Sequence, residues 1–394
     1  MSFSERYLRL CHAISPAELW EIVDEAAREH PLNDGSMSPD SILASTRPIV
    51  IYGAGQFARA VVSAWRVLGQ VDPTYCVDSD PRKWGTAMDG VPVLDPQVLF
   101  DDSERPLVVV AAMATHDIEG VLDEQRIPPL FAERDGSVGF LPGHWLYRHR
   151  PEFEQLYASL ADDESRVVLL AATKGRMFQR YRFLMQGNLF LRDLATFPQY
   201  FTEQIFTFSG PEFLVDCGAF DGDTLVAFFA LMERLGSDES RAVALEADSD
   251  NMKSVLQTLQ RYALSNVEVI EAAVGKDDVA RDASDFFNCR ERSDARQVQV
   301  VTLDRVLEGK APTLIKMDIE GAELDGLSGA ELTISQFHPK LAICVYHETS
   351  HLIEIPSYIL ANHPKYRVFM RHHAPGSLWE TVCYATVNGS ETPG

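Results

Sequence analysis

Residues 213–224 read FLVDCGAFDGDT. An apolar, strand-forming run leads into a turn that contains Gly218 and Gly222, and the run that follows, DTLVAFFALMERLG, has the composition of a helix. Strand, glycine turn and helix in this order predict one unit of a parallel α/β sheet. Glycine lets the backbone of such a turn pass close to a ligand without a side chain in the way. We therefore expect a ligand at the carboxyl end of this strand.

The rest of the second half repeats the pattern. Further strand-like runs that end in turns are AVALEADSD (242–250), VEVIEAAVG (267–275), TLIKMDIEGAE (313–323) and KLAICVYH (340–347). The chain then closes with YRVFMRHH (366–373) and WETVCYATV (379–387), separated by a five-residue link. Such a link is too short for a crossover, so these last two strands must pair antiparallel as a hairpin. The sequence predicts a Rossmann-like parallel sheet with a terminal antiparallel hairpin.

The pattern of strands, turns and helices divides the 394-residue chain into four regions. In chain order, we predict an N-terminal helical arm (1–45), a second Rossmann-like α/β domain of the nucleotide- or nucleotide-sugar-binding type (46–141), a helical connector (142–209) and the α/β domain of the second half (210–394). A chain of this length is expected to form two or three compact units.

The first α/β region carries a dinucleotide-type fingerprint. GAGQFA (53–58) fits G-x-G-x-x-A after a strand, with Gly53 and Gly55 in the turn, and Asp78 ends the next strand. The following stretch, VDSDPRKWGTAMDGVPVL (77–94), resembles the N-terminal domain of sugar O-acyltransferases of the sialic-acid type. That resemblance implies a nucleotide-linked sugar as ligand. The alternative is a scaffold domain without a ligand, and a dehydrogenase is disfavoured because no Tyr-x-x-x-Lys constellation is nearby.

Composition restricts the class of partner. The formal net charge of −23 at pH 7 repels phosphate backbones and anionic lipid, so we expect neither nucleic acid nor a membrane as partner. No apolar run has the length of a membrane helix. The six cysteines form no C-x-x-C pair, which predicts reduced thiols and a cytoplasmic protein.

Three acidic residues stand at strand ends of the second half, where open parallel sheets bind ligands. Asp216 in the first strand suits a cationic amino group, and Glu246 is placed to accept both hydroxyls of a ribose. Asp318 should face the reacting centre. Glu320 and Glu323 lie just beyond it, either at the active-site edge or as simple caps of the following helix.

The second half also resembles a known family. VDCGAFDGDT, ALEADSDN (244–251), VTLD (301–304), IKMDIEGAELDGLSGAE (315–331) and the terminal hairpin are similar to the FkbM family of S-adenosylmethionine-dependent methyltransferases, over about 210–390. Upstream, DDESR (162–166) and QYF (199–201) resemble the helical lead-in of longer members. The resemblance implies a class I Rossmann-like domain that methylates a hydroxyl of a sugar or natural product.

Carried over to this sequence, the resemblance gives a candidate site. The residues expected to bind the cofactor are Asp216, Gly218, Ala219, Asp221, Gly222, Thr224, Glu246, Ala247 and Asp318. The candidate catalytic residues are Asp318, His347 and Glu320. No metal ligands are assigned, although Asp318, Glu320 and His347 are of a type that binds Mg²⁺.

The stretch HETSH (347–351) matches H-E-x-x-H, the helical motif of zinc proteases. It directly follows the predicted strand KLAICVY, so we expect His347 to end that strand or to begin a loop. The candidate third ligands downstream, Glu354, His363, His372 and His373, have no recognisable spacing. A protease is therefore disfavoured. His347 is either a general base at the ligand edge or a histidine held by the backbone or by Glu348.

The sequence thus predicts an S-adenosylmethionine-dependent O-methyltransferase acting on a small molecule or glycan, with a nucleotide-linked sugar as one option. The alternative is a nucleotide-sugar-binding or scaffold protein with an inactive methyltransferase domain. Methylation of nitrogen or carbon, a metal requirement and the oligomeric state stay open.

Overall fold

A computed structural model describes residues 9–10, 12–29, 45–69, 71–101, 106–112, 116–133, 136–178, 183, 199–282, 297–374 and 377–387. The chain folds into two compact units. The first contains residues 1–151 and 173–183, and the second contains residues 152–172 and 184–394. Among the described residues, no helix has both the length and the apolar character needed to cross a membrane.

The first unit is built on a mixed sheet of seven strands. Its strands are β1 (Ile49–Tyr52), β2 (Tyr75–Val77), β3 (Ala87–Met88), β4 (Val91–Leu94), β5 (Leu107–Val110), β6 (Leu130–Ala132) and β7 (Val138–Gly139). The helices up to residue 148 are α1 (Pro16–Glu29), α2 (Gln56–Gly69), α3 (Val98–Asp101), α4 (His116–Glu124) and α5 (His144–Arg148), with a 3-10 turn at Pro81–Lys83. The strand order is β3-β4-β2-β1-β5-β6-β7. The pairs β3–β4 and β6–β7 are antiparallel, and the other pairs are parallel.

Two helices follow in the chain, α6 (Arg150–Ser159) and α7 (Asp163–Phe178). They lie in the region predicted as a helical connector. Residues 179–182 and 184–198 of that region, and residues 1–8, 11 and 30–44 of the predicted N-terminal arm, lie outside the described residues.

The second unit contains a larger α/β arrangement. Its strands are β8 (Phe213–Cys217), β9 (Arg241–Glu246), β10 (Val267–Glu271), β11 (Ala273–Val274), β12 (Val279–Asp282), β13 (Gln297–Val301), β14 (Leu314–Met317), β15 (Lys340–Cys344), β16 (Arg367–His372) and β17 (Thr381–Thr386). Its helices from residue 223 onward are α8 (Asp223–Arg234), α9 (Ser249–Arg261), α10 (Leu303–Leu307), α11 (Glu323–Ser328), α12 (Glu331–Phe337) and α13 (His351–Asn362).

The main sheet of this unit has the order β10-β9-β8-β14-β15-β17-β16. The five strands from β10 to β15 are parallel, and β17 pairs antiparallel with both β15 and β16. This confirms the predicted parallel sheet with a terminal hairpin. Every residue of β8, β14 and β17 is buried, as expected for strands covered on both faces. The strand order reverses between β8 and β14, and such a switch point opens a crevice at the carboxyl edge.

A small sheet completes the second unit, and the described cysteines of both units are buried. A small sheet, β11-β13-β12, pairs β13 with β11 in parallel and with β12 in antiparallel. The sequence analysis did not predict this sheet. The thiols of Cys76, Cys217, Cys344 and Cys383 are buried and free, as predicted, whereas Cys11 and Cys289 lie outside the described residues.

A buried charge network ties α7 to the hairpin of the second unit. Arg371 on β16 donates to Asp162 from both terminal nitrogens, at 2.8 and 3.3 Å, and lies 3.2 Å from Glu164. Asp162 also accepts from the backbone N–H of Ser165 at 2.8 Å, so its carboxylate satisfies a free amide in the first turn of α7. Burial raises the pKa of Asp162, but the Arg371 guanidinium outweighs this and holds the pKa below its usual value.

We expect Asp162→Ala to destabilise the second unit by about 2 kcal/mol, because it removes both a helix cap and one of the two carboxylates that pair with the buried Arg371 guanidinium. Chemical denaturation followed by fluorine NMR of fluorotryptophan at Trp379, the one tryptophan of the second unit in the sequence, measures this unit separately. The control is Asp163→Ala, whose carboxylate is 97% exposed and pairs only with Arg166 among the described contacts. It should change stability by less than about 0.5 kcal/mol.

The lowered pKa of Asp162 also makes the stability of the second unit depend on pH. Its contribution is fully present above the ordinary carboxyl pKa and is lost as the pH falls through the lower pKa of the folded state. The stability difference between wild type and Asp162→Ala should therefore shrink below about pH 4. A difference that stays constant in acid would contradict this assignment.

Candidate active site

The glycine turn after β8 lies directly against the end of β14. Gly218 has φ +81°, and a Cβ placed on it would lie 1.9 Å from the backbone oxygen of Asp318. The amides of Gly218 and Ala219 both donate to the carbonyl of Leu245, at 2.9 and 3.1 Å. Only glycine allows this close approach, so the ends of β8, β9 and β14 meet at one edge.

Glu246, the last residue of β9, is held by this turn. One carboxylate oxygen accepts from the amide of Phe220 at 2.8 Å, and the other accepts from the amide of Asp248 at 2.8 Å. The residue is 6% exposed. Each oxygen keeps a further lone pair, so the carboxylate can still accept hydroxyl donors from a ligand.

The remaining predicted cofactor residues lie in the same turn or beside it. Gly222 has φ +85° and donates to the carbonyl of Ala219, and Asp221 accepts from the amide of Asp223 at 3.1 Å. Thr224 is buried in the first turn of α8. Ala247 packs against the small sheet. The structure therefore brings together the predicted set, whose roles in binding stay predictions.

Asp216 is fully buried and pairs with Lys316, its register partner on β14, at 3.0 Å. The Lys316 amine also donates to the carbonyl of Gly218 at 2.6 Å. Burial alone would lower the pKa of Lys316, but the carboxylates of Asp216 and Asp318 raise it above its usual value, so the amine stays charged. Asp216 was expected to receive a cationic amino group from a ligand. In the structure a cation of the protein itself lies beside it.

Asp318 lies at the carboxyl end of β14, and two tyrosines hold its carboxylate. Tyr200 donates to one oxygen at 3.0 Å, and Tyr346 donates to the other at 2.8 Å. Burial raises the pKa of both phenols, so they remain protonated donors. The Asp318 side chain is still 25% exposed. It is thus a fixed carboxylate that faces the open edge.

His347 follows β15 in a loop, as expected, and its two ring nitrogens have different neighbours. Nδ1 hydrogen-bonds to Glu323 at 2.8 Å, and Nε2 lies 3.4 Å from Asp318. His351, the first residue of α13, lies 3.3 Å from the other oxygen of Glu323. Glu323 is completely buried; burial raises its pKa, but the hydrogen bond with His347 and the proximity of His351 outweigh this and lower the pKa to about 2. The partner of His347 is therefore Glu323 and not Glu348.

Glu320 lies on the outer side of this cluster. It has φ +57°, its side chain is 78% exposed, and one oxygen lies 3.7 Å from Nε2 of His347. One ligand atom from each of Asp318, Glu323 and His347 also lies within 4.8 Å of the others, a set of residue types that binds metal ions. However, Glu323 lies at Nδ1 and Asp318 at Nε2, and the two lone-pair directions of an imidazole diverge. A single ion cannot contact all three groups while the Nδ1 hydrogen bond is in place.

Sequence reasoning found Asp318, His347 and Glu320 but assigned no site role to Tyr200, Tyr346 or Lys316. It considered Glu323 only at the active-site edge or as a helix cap. Lys316 and Glu323 lie inside the IKMDIEGAE stretch, and Tyr200 lies inside the QYF stretch, so the resembling motifs did contain the signal.

The fingerprint residues of the first unit, Gly53, Gly55 and Asp78, lie at the ends of β1 and β2. The amide of Gly53 donates to Val77, and a Cβ on Gly53 would lie 2.5 Å from the oxygen of Ala111, so this glycine is required by strand packing. Asp78 accepts from the amide of Ala54 at 2.8 Å and from Lys83 at 2.8 Å. A Cβ placed on Gly55 would meet no atom within 4 Å. Nucleotide binding at Gly53, Gly55 and Asp78 stays a prediction.

The strand order, the single antiparallel strand within the main sheet and the acidic carboxyl edge define a class I Rossmann-like methyltransferase fold. Comparison with protein families supports this class directly. Residues 216–374 match the family described as methyltransferase FkbM domain. The second unit therefore carries an FkbM methyltransferase domain. No curated protein sequence matches the chain.

One solved structure supports the fold. A methyltransferase FkbM from Methylobacillus flagellatus KT is 24% identical, with a TM-score of 0.59 over 94% of this chain and 100% of that one. An rRNA methylase from Streptococcus thermophilus is 13% identical over 44% of this chain and 85% of that one, with a TM-score of 0.30. Aeropyrum pernix fibrillarin with natively bound S-adenosyl-L-methionine is 11% identical over 45% of this chain and 67% of that one, with a TM-score of 0.30. The likeness to the Methylobacillus flagellatus protein concerns the fold alone.

We expect Gly218→Ala to destabilise the second unit by about 3 kcal/mol or more, because the new methyl group collides with the backbone of Asp318 and cannot rotate away. The matched control is Gly236→Ala. Gly236 also has a positive φ, +69°, but a Cβ there meets no atom within 4 Å, so only the backbone strain of about 1–2 kcal/mol applies. Denaturation of the two variants measures the difference. Equal losses would show that the close approach at Gly218 is unimportant.

Proposed function

We propose that this protein is an S-adenosylmethionine-dependent O-methyltransferase that modifies a hydroxyl of a sugar, a glycan or a sugar-bearing metabolite. The observation that carries the proposal is the pair Glu323–His347, whose free ring nitrogen points toward Asp318 at the carboxyl edge of the sheet. A histidine oriented in this way by a buried carboxylate has the arrangement of a general base.

The residues around the glycine turn suit the cofactor. S-adenosylmethionine would supply a methyl group that is already activated on a sulfonium. Glu246, an acceptor-only side chain with spare lone pairs at a strand end, would hold the ribose hydroxyls. The turn at Gly218 brings the backbone close to that position. The partly exposed carboxylate of Asp318 would favour a cation beside it.

His347 would accept the proton of the acceptor hydroxyl at Nε2. Glu323 fixes the ring by holding Nδ1 and stabilises the imidazolium that forms, as carboxylates do for catalytic histidines. Burial lowers the pKa of His347, but the hydrogen bond with Glu323 and the charges of Asp318 and Glu320 outweigh this, so the pKa lies above 6.5. The fraction of free base at neutral pH is therefore smaller than for an ordinary histidine, and it increases as the pH rises.

Asp318 would position the acceptor. Its oxygens already accept from Tyr200 and Tyr346, so the carboxylate is fixed in place before any ligand arrives. A fixed acceptor of hydrogen bonds can hold a hydroxyl in line for transfer at little entropic cost. Positioning of the hydroxyl by Asp318 and removal of its proton by His347 are separate tasks, which separate variants can test.

Calorimetric titration with S-adenosylhomocysteine tests the cofactor. We expect wild-type protein to bind in the micromolar range and Glu246→Ala to lose about 100-fold in affinity, close to 2.7 kcal/mol, because two charge-assisted hydrogen bonds are removed. The control is Glu268→Ala, an exposed acid on β10 that pairs with Lys310 at 3.3 Å. It should bind as the wild type does. Absence of binding by folded wild-type protein would instead favour a scaffold with an inactive domain.

The catalytic roles are tested by methyl transfer from a radiolabelled cofactor to a panel of glycosides. We expect His347→Ala to lower turnover by about 100-fold to 10,000-fold, the usual contribution of a general base. Asp318→Asn should also lower turnover. Both variants should bind S-adenosylhomocysteine within a few-fold of wild type. His338→Asn, at a helix end away from the cluster, is the control and should keep full activity.

Turnover of the wild type should rise with pH along a limb centred above 6.5, because His347 must lose its proton first. Glu323→Gln should move this limb to lower pH, since it removes the charge that raises the pKa of His347. Activity should also survive an excess of chelator. Full activity in both His347→Ala and Asp318→Asn, or its complete loss with chelator alone, would overturn the assignment.

A further inference from the structure

Trp379 is an exposed aromatic residue at the candidate active site. It lies in the link between β16 and β17, two residues before β17, and is 47% exposed. Its ring meets the ring of Tyr346 edge to face, with centroids 5.7 Å apart and planes at 85°. Tyr346 in turn donates to Asp318 at 2.8 Å. Trp379 is thus one side chain removed from the carboxylate assigned to position the acceptor.

The backbone holds this tryptophan in place. Thr381 begins β17 and its carbonyl accepts from the amide of Val345 at 3.0 Å, so the start of β17 is fixed beside the end of β15. Glu380 adopts φ +70°, and its carboxylate accepts a hydrogen bond from Gln199. A non-glycine residue with positive φ is strained, and such strain is tolerated where the structure over-determines the position. The orientation of Trp379 is therefore set before any ligand binds.

An indole that is 47% exposed leaves a large apolar surface in water, which costs free energy. A partner that covers this surface would regain that free energy. The partner must also reach Asp318 with a hydroxyl group. A saturated ring with C–H groups on one face and hydroxyl groups at its edge, such as a pyranose, meets both requirements, because the C–H face packs on the indole.

The charges of this edge restrict the partner further. Asp318 and Glu320 are partly or largely exposed carboxylates, and the carboxylate of Glu380 follows Trp379 directly in the chain. The nearby cations, Lys316 and His347, are buried and already paired with Asp216 and Glu323. A phosphate or carboxylate on the acceptor would therefore be repelled at close range.

We infer that Trp379 forms an acceptor subsite that stacks an uncharged pyranose and excludes anionic acceptors. The inference rests on the proposed function and narrows it, because sugar phosphates and nucleotide-linked sugars become poor acceptors. Tyr346 supports the indole from one side and directs Asp318 from the other, so stacking and hydroxyl positioning are coupled through one side chain.

Fluorine NMR of the full chain labelled with fluorotryptophan tests this subsite. The chain has five tryptophans, and Trp379→Phe identifies the resonance of Trp379. In the presence of S-adenosylhomocysteine, neutral methyl pyranosides should shift this resonance with a Kd of about 1–10 mM, typical of one stacking contact and a few hydrogen bonds. Glucose phosphate should bind at least about tenfold more weakly, a difference of 1.4 kcal/mol. Trp84, which is 37% exposed in the first unit, provides the internal control and should not shift.

The outcomes separate the subsite from the proposed function. Binding of S-adenosylhomocysteine with no shift of Trp379 by any pyranoside would overturn the subsite and leave the methyltransferase proposal standing. Equal binding of the phosphorylated sugar would overturn the charge selection. With a methylated glycoside in hand, Trp379→Ala should raise KM about tenfold with kcat nearly unchanged, whereas a purely structural role for Trp379 would lower both the melting temperature and kcat.

Discussion

The contact between Gly218 and the backbone of Asp318 is the constraint on which the candidate active site depends. It places the turn after β8 against the end of β14, and the amide of Asp318 donates to the carbonyl of Cys217 at 3.0 Å. Lys316 closes the same junction by donating to the carbonyl of Gly218. Since Glu246 is held by the amide of Phe220 in this turn, the candidate cofactor residues and the catalytic cluster share one rigid junction.

The site contains buried carboxylates that need compensation. Taking a carboxylate out of water is costly unless a partner and hydrogen bonds compensate it. Asp216 is compensated by Lys316, and Glu323 by His347 and His351. Asp318 differs, because two neutral phenols hold its oxygens, His347 lies 3.4 Å away, and its side chain is partly open to solvent. Its carboxylate is therefore accessible to a ligand, which agrees with the chemistry proposed for this edge.

The sequence predicted the fold from local signals that do not need tertiary information. Alternating strands, glycine turns and helices indicate a parallel sheet, and the short link before Trp379 forces a hairpin. It placed Asp318 and His347 at one edge because parallel strands end together. It missed Tyr200 because that residue is 118 positions from its partner, Asp318, and no local pattern marks such a pair. The small sheet was missed because β11 has only two residues and follows β10 almost directly, and half of β12 (VARD) is charged.

The H-E-x-x-H pattern shows that the spacing of two histidines does not by itself determine their chemical role. In a helix, four residues bring two histidines to one face, where they bind a metal. Here a loop connects His347 to α13, and both histidines nevertheless converge on one group. That group is the buried carboxylate of Glu323, which lies 2.8 Å from Nδ1 of His347 and 3.3 Å from Nδ1 of His351. The hydrogen bond between His347 and Glu323 occupies Nδ1 of His347, so this nitrogen is not available to a metal. The H-E-x-x-H spacing therefore brings the two histidines to one group. Here that group is a carboxylate of the protein, which orients His347 for the proposed proton transfer.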